Sequence, residues 1–245
     1  MRNLNEAILY YSFLYQGDWQ KIAVAIKNHE PYQKIHCEYA YVTIVDEDYP
    51  EVLKHLRYPP WILFYQGKLE WSQETCIGIV GSRNCSKQAL ENTRIVVNRL
   101  KKKYCIVSGL AKGIDAMSHI SSLDSKTIGI IGCGIDQIYP RENKRLYEEM
   151  KEKQLILSEY PPGCPPLRHH FPWRNRLIAA FSKALIVIEA NYKSGTMITV
   201  NACLELSIPV YCLPSAFGQK DYLGCNYLIQ NGAIIIVEEN DLEDI

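Results

Sequence analysis

Residues 158–184, SEYPPGCPPLRHHFPWRNRLIAAFSKA, concentrate the groups in this chain best suited to holding a polyanion. Arg168, Arg174, Arg176 and Lys183 fall within a stretch from Tyr160 to Ile188 that has no acidic residue, with His169 and His170 among them. Arginine forks grip phosphate oxygens through paired hydrogen bonds, and aromatic faces such as those of Phe171 and Trp173 stack on bases. Together these describe a surface for single-stranded nucleic acid. The prolines restrict the intervening backbone, which lowers the ordering cost of presenting such groups. The same composition fits a solvated basic loop with Phe171 and Trp173 tucked into the core, and residue types alone leave both readings open.

A second set of candidate groups sits in glycine-bearing turns: GSRNCS (81–86), GLAKGID (109–115), GCGIDQIYPRENK (132–144) and ANYKSGT (190–196). Glycine lets a backbone approach a ligand closely, and helix N-termini present free N–H groups, so phosphate is the natural guest. The specific nucleotide fingerprints fail. Gly132-x-Gly134 is followed by Gln137 where a dinucleotide motif needs its third glycine, and no G-x-x-x-x-G-K-[ST] occurs. No G-x-S-x-G elbow, H-E-x-x-H helix or paired Cys/His motif is present either, which leaves no catalytic residue, metal or cofactor to assign. The 9 cysteines lack any C-x-x-C pair and read as reduced thiols of a cytoplasmic protein.

Positioning these turns requires a regular scaffold, and the sequence supplies one. From Cys76 onward, apolar runs of about five residues alternate with helical patterns, the signature of βαβ units and a parallel sheet. Strands are expected at 76–80, 105–108, 127–131, 155–159, 184–189, 210–214 and 234–238. Parallel strands bring their C-terminal loops to one edge, where open α/β sheets bind ligands. The expectation is an α/β fold: an extended Rossmann-like, mostly parallel sheet with helices on both faces, preceded by a small helical N-terminal segment. Three parts are expected: a helical piece over 1–40, a lead-in strand and helix over 41–75, and the Rossmann-like domain over 76–245 with a C-terminal dimerisation region.

Lys plus Arg equals Asp plus Glu at 27 each, so no net field draws the molecule to nucleic acid or to an anionic membrane, and a polyanion site must be a local patch. No signal-peptide pattern appears, and no apolar run approaches the roughly 20 residues a membrane helix needs.

Six segments carry a resemblance: VGSRNCSKQ (80–88), IVSGLAKGIDAMSH (106–119), IGCGIDQIYPRENKRL (131–146), LSEYPPG (157–163), HHFPWRNRLIAAFS (169–182) and SGTMIT (194–199). Their order and spacing resemble the DNA-processing protein A family, DprA, also called Smf, over about residues 41–237. The resemblance implies a non-enzymatic homodimer that binds and protects incoming single-stranded DNA during natural transformation and loads a RecA-type recombinase onto it. It places Gly81, Ser82 and Arg83 in the DNA pocket, with Arg83 as a phosphate clamp. Ser108, Gly109, Lys112 and Gly113 form the second loop, beside Asp115, which is read as a helix N-cap. It further implies DNA contacts from Arg141 and Asn143, from Phe171, Arg174, Asn175 and Arg176, and from the anion-binding turn Ser194, Gly195 and Thr196 ahead of a helix starting at Met197. Asn143 is equally suited to bonding the loop or capping the next helix. Tyr227, Leu228, Ile229 and Ile234 match the family's dimer region, although a helix plus strand there also reads as core.

The sequence departs from the family at Pro214-Ser215, where a Pro-Gly pair is usual and a backbone without positive φ is now required. The acidic end VEENDLEDI leaves no room for the winged-helix domain of some members. The rival from another class is the related nucleoside-phosphate phosphoribohydrolase. Its P-G-G-x-G-T-x-x-E turn corresponds here to ANYKSGTMIT, with Thr199 in place of the glutamate.

Overall fold

The structure, a computed structural model, describes residues 3–216, 218 and 222–245. Its centre is a nine-stranded sheet of β1 (Ala40–Thr43), β2 (Ile62–Gly67), β3 (Cys76–Val80), β4 (Cys105–Ser108), β5 (Thr127–Ile131), β6 (Leu155–Ser158), β7 (Ser182–Val187), β8 (Val210–Cys212) and β9 (Ile234–Ile235), in the order β1-β2-β6-β5-β4-β3-β7-β8-β9. β1 and β2, and β2 and β6, pair antiparallel, and every other neighbour is parallel. All five residues of β3 and of β5 are buried, because parallel strands covered on both faces have no solvent side and read as unbroken apolar runs.

Alternate residues of one strand enter different cores, as the period of two requires. Cys76, Val80, Val107, Ile128 and Ile130 face α7 (His170–Phe181), α8 (Gly195–Glu205) and α9 (Gly224–Gln230), with the short α3 (Glu51–Lys54) completing that layer. Ile77, Ile79, Ile106, Ile131 and Ile156 face α4 (Lys87–Leu100), α5 (Ile114–Ser122) and α6 (Lys144–Lys153). The N-terminal α1 (Leu4–Leu14) and α2 (Trp19–Lys27) join this second layer, with Ile8 and Leu9 of α1 buried against Ile62, Phe64 and Ile156. The stretch before residue 75 therefore contributes two strands to the sheet and shares its core.

Several element boundaries differ from expectation: β6, β7 and β8 end at Ser158, Val187 and Cys212 rather than at 159, 189 and 214, and β7 begins at Ser182 rather than at 184. The proline-rich segment is helical from His170, because Pro172 falls in the first turn of α7, where an N–H has no partner to lose. α8 begins at Gly195, two residues before the expected Met197. β9 stops at Ile235, and beyond it the N–H groups of Val237 and Glu238 donate to the Asp241 carboxylate at 2.7 and 3.0 Å, bonds that a longer strand would need for its ladder.

Candidate nucleic-acid interface

The loops after β3, β4, β5 and β7 meet at one edge of the sheet. Between the β3 loop, the N-terminal half of α7 and the N-terminus of α8 lies a cleft of about 500 Å³. Its shape begins with Glu189, just past β7. The Glu189 carbonyl accepts from Ser82 N–H at 2.7 Å, and its carboxylate accepts from the backbone N–H and hydroxyl of Ser86 at 3.0 and 2.7 Å. The Ser86 hydroxyl in turn accepts from Ala89 N–H, capping α4. The loop carrying Gly81, Ser82, Arg83 and Asn84 is thus pinned at both ends, with Arg83 and Asn84 exposed at its tip.

The second loop is fixed from beneath. Gly113 has φ +74° and packs against the Ser82 carbonyl, a conformation and a distance that a Cβ would forbid. Gly109 lies against the buried charges, since a Cβ there would stand 2.7 Å from both Arg174 Nη2 and Asp115 Oδ2. Asn143 Nδ2 donates to the carbonyls of Leu110 and Ala111 at 2.9 and 3.1 Å, so of its two expected roles it takes the loop-bonding one.

Most of the expected residues reach the cleft. Gly81, Ser82, Arg83, Phe171, Asn175, Ser194, Gly195 and Thr196 line it. α8 has no side-chain cap, and the Ser194 hydroxyl is buried without a hydrogen-bond partner, so the positive end of an 11-residue helix opens onto the space. The Arg83 guanidinium sits 5.7 Å from the Phe171 ring centroid, and the Tyr139 ring packs against the same ring at 5.3 Å and 37°. Gly109 and Lys112 border a smaller adjoining cavity, where Lys112 pairs with Glu142.

Several expected contacts are displaced. Arg174 is 3% exposed at the cleft floor and borders both cavities, its Nη1 donating to the carbonyls of Gly109, at 2.7 Å, and Ile130. Its Nε donates to Asn175 Oδ1 at 3.2 Å, so most of its fork is engaged within the protein. Arg176 faces away from the cleft, where Glu159 takes it bidentately at 2.7 and 2.6 Å, the Tyr58 carbonyl accepts at 3.1 and 3.2 Å, and the Trp173 ring lies 4.1 Å away. Ser108 is buried in β4 and donates to the Ile79 carbonyl at 2.6 Å. Arg141 is exposed in the 3-10 turn Arg141–Asn143 and lines neither cavity. Asp115 is not the N-cap of α5, a position held by Gly113. Its carboxylate accepts from the backbone N–H groups of Gly109 and Ala111 beside Arg174. Leu228 is buried in the core and Ile229 packs partly buried against it, because one face of α9 covers β8; Tyr227 and Ile234 remain exposed. Ser215 avoids positive φ, as expected, and is held by Asn226 through its N–H at 2.9 Å and its carbonyl at 3.0 Å.

Burial sets the charge states below the floor. Burial pushes the Asp115 carboxyl up while Arg174 and the two N–H donors pull it down, and burial draws Arg174 down while Asp115 opposes the shift. His119, behind them, is depressed to about 3 by burial and by Arg174. Its Nδ1 lies 2.7 Å from Thr127 Oγ1, whose own proton goes to the Ile106 carbonyl, so the imidazole is neutral with its proton on Nδ1. The floor is a polar network, and of the arginines that line the cleft Arg83 and Arg168 are exposed while Arg174 is nearly buried.

Residue-level reading of the sequence passed over Arg168, Tyr139 and Glu189 as site residues. Arg168 was legible within the basic stretch, and Tyr139 within the YPREN turn. Glu189 gave only the signal of an acid closing an apolar strand.

The family model for DNA recombination-mediator protein A matches residues 40–244. DNA processing protein DprA of Streptococcus pneumoniae is 41% identical over 204 residues, covering 82% of this chain and 72% of that protein. Protein Smf of Synechocystis is 42% identical over 209 residues, covering 82% of this chain and 52% of the longer relative. The X-ray structure of the S. pneumoniae protein superposes with a TM-score of 0.84 at 35% identity, covering 98% of this chain and 92% of that one. DNA processing protein A of Helicobacter pylori, whose structure was described for its single-stranded DNA binding mode, gives 0.78 at 29% identity over 84% of this chain and 96% of its own.

Proposed function

Because the chain belongs to the DNA recombination-mediator protein A family, we propose that it binds single-stranded DNA in the cleft at the sheet's C-terminal edge and acts as a mediator without catalysis of its own. The observation that carries this reading is the pairing of an unopposed cation with an open helix end. Arg83 and Arg168 are exposed at the cleft, and the uncapped N-terminus of α8 faces them across it. Phosphates are gripped between arginine forks and free N–H groups, while Phe171 offers a ring face to a base. Sequence preference is slight, because phosphate and π-face occur on every nucleotide.

Hydrolysis finds no support among the lining groups. The only carboxylate bordering the cleft among the described residues is that of Asp115, which is buried and accepts two backbone N–H groups beside Arg174, and Thr199 occupies the place where the related hydrolases carry glutamate. Two protomers associate through the exposed apolar side chains of Tyr227, Ile234, Ile235 and Val237 beside the sheet edge at β9, giving two clefts per assembly and raising avidity for strands that span both. Family membership supports the loading of a RecA-type recombinase onto the bound strand as the next step.

Fluorescence anisotropy of a labelled oligothymidylate and of a duplex of equal length, titrated across a salt series, tests the binding. Single strands bind more tightly than duplex. Each of Arg83→Ala and Arg168→Ala lowers the slope of log affinity against log salt by about 0.7, the value for one phosphate contact on a single strand. Equal affinity for duplex, or an unchanged slope in both variants, refutes the assignment.

A further inference from the structure

No residue before Val80 lines the cleft, yet the N-terminal helices touch the segment that builds its wall. Between α1 and α2 the chain turns through Gln16 and Gly17, at φ 51° and 76°. A Cβ on Gly17 would stand 2.9 Å from the Tyr160 ring and 3.2 Å from the Glu159 carbonyl, so glycine is what lets this turn lie on the start of the proline-rich loop. The buried Tyr160 ring stacks in turn on that of His170 at 3.9 Å and 18°, and the next residue, Phe171, lines the cleft.

A second set of contacts runs beside the first. Trp19, at the start of α2, stacks on Trp61 at 5.4 Å, meets the Tyr58 ring edge-on at 5.0 Å, and donates from Nε1 to the Pro59 carbonyl at 2.6 Å. The Tyr58 ring lies 5.7 Å from that of Trp173, and the Tyr58 carbonyl accepts from Arg176. Arg176 ties Glu159, the first residue after β6, to the middle of α7, and the two side chains are only 13% and 4% exposed. The segment 159–176 is therefore held at both ends, and Arg168, Phe171 and Asn175 on it face the cleft. Prolines 161, 162, 165 and 166 remove backbone donors from its loop, which leaves the loop's arrangement dependent on what packs against it.

We propose that the N-terminal helices set the affinity of the cleft from outside it, with Gly17 and Trp19 as positioning residues that act through Tyr160, Tyr58 and the Glu159–Arg176 pair. This rests on the single-stranded DNA reading above. With these contacts in place the wall is ordered before a strand arrives, and binding does not have to supply that order. Without them the cleft is competent only for the fraction of time in which the loop and α7 recover this arrangement. Apparent affinity falls by the same fraction, so a wall in place one tenth of the time binds about tenfold more weakly. No phosphate contact is removed, and the salt dependence of binding stays as it was.

The test compares the unaltered protein with Trp19→Ala, Gly17→Ala and Trp19→Phe, by hydrogen–deuterium exchange without DNA and by oligothymidylate anisotropy across a salt series. Both small-residue variants speed exchange of the amides of 159–176 and weaken binding, each by about tenfold, while β3, β4 and β5 exchange as before. The slope of log affinity against log salt is unchanged in both. Trp19→Phe, which keeps a ring against Tyr58, restores both exchange and affinity. Gly17→Ala leaves Ile8 and Leu9 of α1 in the core, so it carries the test if Trp19→Ala fails to fold. Unaltered exchange in 159–176, or exchange that rises equally throughout the sheet as general destabilisation requires, overturns the proposal. So does a lowered salt slope, which would make the N-terminal helices a direct contact for phosphate. Failure of the parent reading shows separately, as an unaltered protein that binds no single strand.

Discussion

Arg174 tests whether the arginines of the basic segment are ligands for DNA or parts of the floor. Its guanidinium is 3% exposed, donates to the Gly109 and Ile130 carbonyls and faces the Asp115 carboxylate. Arg174→Ala leaves that carboxylate without its counter-charge and the carbonyls without this donor, at the nearly buried floor of the cleft. Breaking a buried charge pair from one side costs about 3–5 kcal/mol. At about 2–4 °C per kcal/mol for a chain of this length, the unfolding midpoint falls by about 6–20 °C. A solvent-facing phosphate clamp would change stability by no more than about 0.5 kcal/mol. Thermal and urea unfolding measured beside oligonucleotide anisotropy separates the two. The companion variant Arg174→Met with Asp115→Asn removes both charges at similar volume, and it recovers much of the lost stability because no charge is left buried alone. An Arg174→Ala protein as stable as the parent, with its single-strand affinity lost, would falsify the account of the floor.

Two further outcomes follow from the same network. His119, held neutral with its value depressed to about 3 against an ordinary 6.5, contributes stability that is present above pH 6.5 and is lost as pH falls towards 3. At 1.36 kcal/mol per unit, going from pH 7.5 to pH 5 removes about 2 kcal/mol, and urea midpoints at the two values show that loss in the parent and a smaller one in His119→Gln. Gly109→Ala places a Cβ 2.7 Å from Arg174 Nη2 and Asp115 Oδ2, neither of which can retreat, and destabilises by about 1–3 kcal/mol in thermal unfolding. Gly195→Ala, whose Cβ meets nothing within 4 Å, stays within about 0.5 kcal/mol, and a loss as large as that of Gly109→Ala contradicts the packing argument.

The strands were legible because burial on both faces writes itself as an unbroken apolar run, as in Cys76–Val80 and Thr127–Ile131. α7 was not, because Pro172, Trp173 and three arginines or histidines in its first turns carry no helical stripe, and the apolar positions Leu177, Ile178, Ala179 and Phe181 are all buried. The deeper difficulty lies in the arginines. Along the chain Arg83, Arg168, Arg174 and Arg176 are equivalent positive charges, and the acid-free stretch from Tyr160 to Ile188 makes three of them look unopposed. Opposition is a matter of three dimensions. Arg174 meets the Gly109 carbonyl across 65 positions, beside Asp115 of the same loop, and Glu159 takes Arg176 from one residue outside the acid-free stretch. A guanidinium committed in this way rigidifies the fold, whereas Arg83, exposed against the Phe171 ring and with its charge felt by Asp115 below, makes no side-chain hydrogen bond among the described residues and keeps its five N–H donors for a ligand. The sheet that is so plain in the sequence therefore decides which arginines can serve DNA, since it brings acids and carbonyls to some of them and leaves others facing the open cleft.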